Sequence, residues 1–200
     1  RGNEMNKNIW IIFCTLSMSV MMSFPVTADS SEYCQWINAS NWGANTSCPA
    51  VPGEQTRMGF GICGSGANED CDDVSNKMYC CSEPNVRQIY MSSPPQYSTF
   101  GIRLVCGPNE VVTSFCGSGS NSDCTVEGTA EKKANSITCS QFSEVLLSPQ
   151  SAWYSTAKFG QELFCPNATV MTGVCGSGGN KDCNGNVNEI QCTGYTIRAQ

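Results

Sequence analysis

A nine-residue phrase, Cys-Gly-Ser-Gly-x-Asn-x-Asp-Cys, occurs three times in this chain: from Cys63 to Cys71, from Cys116 to Cys124 and from Cys175 to Cys183. Each copy sits in the same longer frame. An aromatic-Gly pair stands ahead of a cysteine (Trp42-Gly43 and Cys48, Phe100-Gly101 and Cys106, Phe159-Gly160 and Cys165). The frame closes on Asn-x-apolar-x-Cys (Asn76 to Cys80, Asn135 to Cys139, Asn188 to Cys192). The aromatic-Gly pairs start 58 and then 59 residues apart, so whatever fold forms must accept the same unit three times. The repeats run over about 36–91, 92–148 and 149–200, within one domain expected to span 29–200.

Residues 1–28 read as a leader plus secretory signal: Lys7 precedes an apolar run over 9–24, and Val26-Thr27-Ala28 offers the small residues of a cleavage site. The competing reading, a membrane anchor, is disfavoured by the shortness of that run, its serines and Pro25. Of the 15 cysteines, Cys14 falls in the leader and the others form an even set. Such density predicts a secreted, extracellular protein with disulfide bonds. The sequons at Asn38, Asn45 and Asn167 agree with secretion and mark candidate glycosylation sites.

The chain carries 11 basic and 17 acidic side chains, a net charge of −6, and no histidine. An acidic surface without a basic tract argues against nucleic-acid partners. The absence of histidine removes Ser-His and Cys-His nucleophile pairs, imidazole bases and histidine-bound zinc. Paired carboxylates remain open to glycoside chemistry, but Glu110, Glu144, Glu162 and Glu189 occupy positions from which nothing selects a pair. No catalytic residue and no cofactor is expected.

Local patterning is that of strands. Ile102, Leu104 and Cys106 alternate with polar neighbours, Val170 to Val174 is short and β-branched, and no window carries a capped helical stripe. The expected class is all-β, either a pseudo-threefold β-prism or three small disulfide-stapled β modules. Equivalent copies should share one nested connectivity. The expected pairs are Cys63–Cys71, Cys116–Cys124 and Cys175–Cys183 inside, Cys48–Cys80, Cys106–Cys139 and Cys165–Cys192 outside, and Cys34–Cys81 from what is left. Exchange of the neighbours Cys80 and Cys81 is the alternative.

The Gly-Ser-Gly run invites a phosphate-loop reading, but no Lys-Ser/Thr follows, and a disulfide-clamped turn is the plainer account. Asp70, Asp72, Asp73, Asp123 and Asp182 are weak candidates for divalent cations, with spacing unlike a calcium loop. Trp42, Phe100 and Phe159 are read chiefly as core residues packed on a cystine, with sugar stacking as the alternative.

The frame Phe100-Gly101-Ile102-Arg103-Leu104-Val105-Cys106, with Asp123 and Asn135-Ser136-Ile137, resembles the vitelline membrane outer layer protein family over about 36–200. That resemblance implies a three-repeat β-prism of Greek-key sheets, a structural role in an egg coat and affinity for carbohydrate. Tyr79-Cys80-Cys81 and the nested cysteines are also similar to the three-module C-terminal region of the proprotein convertase that controls lipoprotein receptors, which implies protein interaction. Neither resemblance brings an active site. The expected function is a secreted, non-catalytic, disulfide-rich structural component of an extracellular matrix or coat, mineralised or shell-type in the narrowest version. The alternative is a lectin-like module with one site per repeat. Expected partners are matrix proteins or glycans, with divalent cations or mineral left open, and neither nucleic acid nor membrane.

Overall fold

The computed structural model describes residues 34–39, 41–49, 57–64, 71–83, 93–117, 123–176 and 180–198. The leader and signal expected over 1–28 lie outside these residues, as does Asp70. The described chain is all-β, with no helix among the described residues. Its strands are β1 (Cys34–Asn38), β2 (Thr46–Ser47), β3 (Arg57–Gly64), β4 (Asn76–Ser82), β5 (Gln96–Ser98), β6 (Leu104–Val105) and β7 (Glu110–Gly117). They continue as β8 (Cys124–Thr125), β9 (Lys132–Lys133), β10 (Asn135–Gln141), β11 (Val145–Thr156), β12 (Leu163–Phe164), β13 (Thr169–Gly176) and β14 (Asn188–Ile197).

Three four-stranded antiparallel sheets have the orders β1-β4-β3-β12, β5-β10-β7-β2 and β11-β14-β13-β6. Each contains three strands of one repeat and a short fourth strand from another. The first repeat gives β2 to the second sheet, the second gives β6 to the third, and the third gives β12 back to the first. The exchange is cyclic.

The same irregularity recurs in every sheet to receive that strand. Phe60, Thr113 and Thr172 are the extra residues of three equivalent bulges, at the register shifts between β3 and β4, β7 and β10, and β13 and β14. A bulge turns its carbonyl out of the ladder. Here those carbonyls accept the N–H groups of Cys165, Cys48 and Cys106, at 2.8, 2.8 and 2.9 Å, which lock the end of each donated strand.

One apolar cluster fills the space between all three sheets: Ile62, Met78 and Cys80, then Phe115, Ile137 and Cys139, then Val174, Ile190 and Cys192, with Leu104, Val112 and Met171. The stapled units therefore share one core. A second cluster of Met58, Val111, Val170, Phe142 and Val145 closes one end. The other end is closed by polar groups. Buried Asn76, Asn135 and Asn188 donate from Nδ2 to the carbonyls of Gly117, Gly176 and Gly64, at 2.6, 2.8 and 2.9 Å, each reaching the next sheet. This ring explains two repeated letters together. A Cβ on Gly176 would come within 2.3 Å of the Asn135 amide oxygen, and one on Gly64 within 2.8 Å of that of Asn188.

The seven cystines join Cys34 to Cys81, Cys48 to Cys80, Cys63 to Cys71, Cys106 to Cys139, Cys116 to Cys124, Cys165 to Cys192 and Cys175 to Cys183. Cys80 points into the shared core, while its neighbour Cys81 lies opposite Cys34 across β1 and β4. Successive strand residues face opposite ways, and that separates the two partners.

Candidate functional site

The solvent-facing side of each sheet can be compared position by position, because the register is the same in all three. One row across the first sheet is Phe164, Gly61, Tyr79 and Trp36. Its three rings are mutually in contact: Trp36 to Tyr79 at 5.1 Å, Trp36 to Phe164 at 5.3 Å and Tyr79 to Phe164 at 5.2 Å between centroids. Gly61 is needed beneath them, since a Cβ there would stand 2.5 Å from the Leu163 carbonyl and 3.2 Å from the Phe164 ring. Phe164 remains 43% exposed, so the row is a platform rather than core.

The next row of the same face carries charge. Lys77 in β4 is 5% exposed; its Nζ pairs with Asp72, pairs with Glu162 at 3.2 Å, and lies 5.1 Å from the centroid of the Trp36 ring. Burial alone would lower the Lys77 pKa, but the hydrogen bonds and charges of Asp72 and Glu162 prevail and hold it above the ordinary lysine value. The ammonium is thus a fixed cation beside a partly exposed aromatic row.

The matching rows elsewhere differ. On the third sheet the platform row reads Val105, Gly173, Gln191 and Trp153. The charge pair is inverted there: Glu189, 3% exposed, occupies the place of Lys77, and Arg103 takes that of Glu162, bonding Glu189 at 2.8 Å and lying 4.3 Å from the Trp153 ring centroid. On the second sheet the row is Ser47, Ser114 and Thr138, without a ring, and the charge positions hold Asn45 and Ser136.

No family model, characterised protein or solved structure matches the chain. What the residues themselves support is a disulfide-rich β protein of a kind suited to an oxidising, extracellular setting as a structural or binding module.

The sequence candidates distribute as follows. Asp72 and Asp73, at φ 50° and 62°, are the two central residues of a tight turn closed by mutual backbone bonds of Cys71 and Val74. The third repeat makes the same turn with Asn184 and Gly185, at φ 53° and 82°. Left-handed backbone selects such residues, so turn geometry accounts for the acidic pair. The backbones of Asp123 and Asp182 lie against Gly43 and Gly101, whose φ is 73° in both cases. Among the described residues no three His, Cys, Asp or Glu side chains converge as metal ligands would.

Glu110 is tied to Ser93 at 2.5 Å and to the Gly107 N–H at 3.0 Å. Glu162 and Glu189 belong to different sheets, and Glu144 precedes β11, so these carboxylates are dispersed through the fold. Trp42, Phe100 and Phe159 are half-buried and belong to neither apolar cluster, which differs from the core placement expected of them. They stand beside left-handed glycines in turns, and the cystines are packed instead by strand residues of the shared core.

Asn38, Asn45 and Asn167 are all exposed. The aromatic row was missed from sequence because its members come from β1, β4 and β12, and only the strand exchange brings Phe164 beside Trp36 and Tyr79. The available signal was Tyr79, an aromatic at an outward position where the other repeats have Thr138 and Gln191.

Proposed function

We propose that the protein is a secreted, non-catalytic structural component of an extracellular matrix or coat, as its repeat and its resemblance to an egg-coat family imply. The observation that carries this is the cyclic exchange of β2, β6 and β12 together with cystines Cys48–Cys80, Cys106–Cys139 and Cys165–Cys192. Each of these cystines connects the end of a donated strand on one sheet to the central strand of another. A body stapled in that way suits persistence outside the cell, where chaperones and reductants are absent. Fractionation of the source tissue tests it: the chain should be recovered with the insoluble layer, and recovery only from the surrounding fluid would refute the coat role.

A second reading, carbohydrate binding, is favoured by the Trp36, Tyr79 and Phe164 platform with Lys77, Asp72 and Glu162 beside it. Apolar ring faces bordered by hydrogen-bonding groups match the two sides of a sugar ring. Because the equivalent rows of the other sheets differ, this favours one principal site over three. Trp36→Ala should lower retention on an immobilised polysaccharide more than tenfold, with Trp153→Ala as the comparison. Equal loss from both variants, or none from either, would refute a site on the first sheet.

A further inference from the structure

The third sheet ends in a long strand whose outer edge pairs with no described strand. β11, at one end of the order β11-β14-β13-β6, has 12 residues, against 5 in β1, 3 in β5 and 2 in each of β2, β6 and β12, the other strands that end a sheet. A register shift between Leu147 and Ser151 interrupts it, and from Ser151 to Thr156 it pairs regularly with β14. Ser151, Ala152, Tyr154 and Ser155 are exposed and Trp153 is half-buried. Ala152 and Tyr154 nevertheless lie opposite Cys192 and Ile190, core residues only 2% and 0% exposed. The strand therefore overhangs the core and meets solvent on both faces. Among the described residues, Ser151 to Ser155 make no backbone hydrogen bonds beyond those to β14, which leaves the outer row of N–H and C=O groups open for another strand.

We infer that this edge joins a second copy of the chain, β11 pairing antiparallel with β11 of the other copy about Trp153. Set against itself in that direction, Ser151-Ala152-Trp153-Tyr154-Ser155 is self-complementary. Ser151 meets Ser155, Ala152 meets Tyr154, and Trp153 meets its own counterpart. On the overhanging face each tyrosine ring covers the small alanine of the other copy, twice across the two-fold axis, and on the opposite face the two indoles meet. Charge permits the approach here. A chain of net charge −6 repels its copies, but these five residues carry no charge, and the two ions beside them, Arg103 over the Trp153 ring and Glu189 opposite Ser155, pair with each other. Two sheets of four strands then become one of eight. So short a seam gives a weak, reversible dimer, with a dissociation constant on the order of 10 to 100 µM. The inference stands apart from the coat reading, since it needs neither secretion nor a glycan.

Sedimentation equilibrium of the full chain with its cystines intact, from about 1 to 500 µM, tests it. Dimers are expected to form as concentration rises, weakened about tenfold or more by Ala152→Glu and by Tyr154→Lys, both at exposed positions, and unchanged in Trp36→Ala. An equimolar mixture of the two charged variants should recover dimers, because the new acid and the new base fall opposite one another in this register. Hydrogen exchange along Ser151 to Ser155 should slow over the same concentration range. A native chain that stays monomeric throughout, dimers that survive Ala152→Glu, or equal weakening by Trp36→Ala would overturn the inference. Protection of the edge that is already full at the lowest concentration would overturn it too, by showing that another segment of the same chain lies there. Failure of the mixture to recover dimers would overturn the pairing about Trp153.

Discussion

The Asn-Gly ring can be tested by a double-mutant cycle at Asn135 with Gly176, the pair that leaves least room for a Cβ on its glycine. Asn135 is 2% exposed and donates to the Gly176 carbonyl at 2.8 Å. That carbonyl also accepts the Gly101 N–H at 3.2 Å, so Asn135→Ala leaves it with one partner. The expected cost is one buried hydrogen bond plus a small void, about 2 kcal/mol. Gly176 does not have a left-handed φ, so alanine is conformationally allowed there. Its Cβ, however, would lie 2.3 Å from Asn135 Oδ1, and displacing the amide should break the same hydrogen bond at about 2 to 3 kcal/mol. With both changes the obstructing amide is gone and the new methyl fills its space, so the double variant should lose about 2 to 3 kcal/mol rather than the roughly 4 to 5 expected of independent sites. Guanidinium unfolding with the cystines intact measures all four corners. For Gly117 the nearest atom is Phe115 Cζ at 2.8 Å, with Asn76 Oδ1 at 3.0 Å, so the coupling with Asn76 should be weaker. Additive losses at Asn135 and Gly176 would refute the account of why the phrase begins Cys-Gly.

Other outcomes follow from single contacts. Thr46 occupies the inward place held by Leu104 and Leu163 in the other donated strands, is 1% exposed, and its Oγ1 has no hydrogen-bond partner among the described residues. Thr46→Val should therefore stabilise by about 1 kcal/mol in the same denaturation assay while leaving the sequon intact. Burial, then the hydrogen bond to the Glu83 carboxylate and its charge, raise the Tyr195 pKa well above its ordinary value of 10.0. The folded state then keeps a proton that the unfolded state releases, so this contribution is complete below about pH 10 and declines above it. Tyr195→Phe should abolish that part of the alkaline loss, read from unfolding midpoints between pH 9 and 11. Replacing both cysteines of Cys106–Cys139, separated by 33 residues, should cost about 3.7 kcal/mol on loop entropy alone, against about 2.5 for Cys175–Cys183, separated by 8. An equal or reversed order of melting losses would count against the sheet-linking role of the outer cystines.

Much of this architecture was legible because repetition turns one local inference into three. The short β-branched run from Val170 to Val174, which lies in β13, the turn residues and the invariant cysteine spacing are all local signals, and they imply strands and nested pairing without knowledge of which strands meet; the alternation from Ile102 misled, since Ile102 is exposed and precedes the two-residue β6. Strand exchange leaves no such local trace. Thr46-Ser47, Leu104-Val105 and Leu163-Phe164 are two-residue strands whose partners lie in other repeats, and their alternation is too short to show where they dock. The platform suffered from the same gap, since Phe164 reaches Trp36 and Tyr79 only through that exchange. Trp42, Phe100 and Phe159 have fixed spacing, yet in the first two pairs it is the glycine that makes the contact, its positive φ bringing Gly43 against Asp123 and Gly101 against Asp182 of the next repeat.

The exchange also changes what a cystine within one repeat does. If each repeat folded on its own strands, Cys48–Cys80 and its counterparts would only shorten an unfolded loop. Because Cys48, Cys106 and Cys165 follow strands lodged in another sheet, the same bonds also fix neighbouring sheets to one another around the shared core. The three links are not alike in the chain, however. Asn76 to Gly117 and Asn135 to Gly176 each span 41 residues, while Asn188 to Gly64 spans 124. The longest loop carries the largest closure cost, and β12 can complete the first sheet only once the third repeat has been made. The last link is thus the entropically dearest and the one that makes three stapled units a single closed body, in which no sheet can open without releasing a strand that belongs to another.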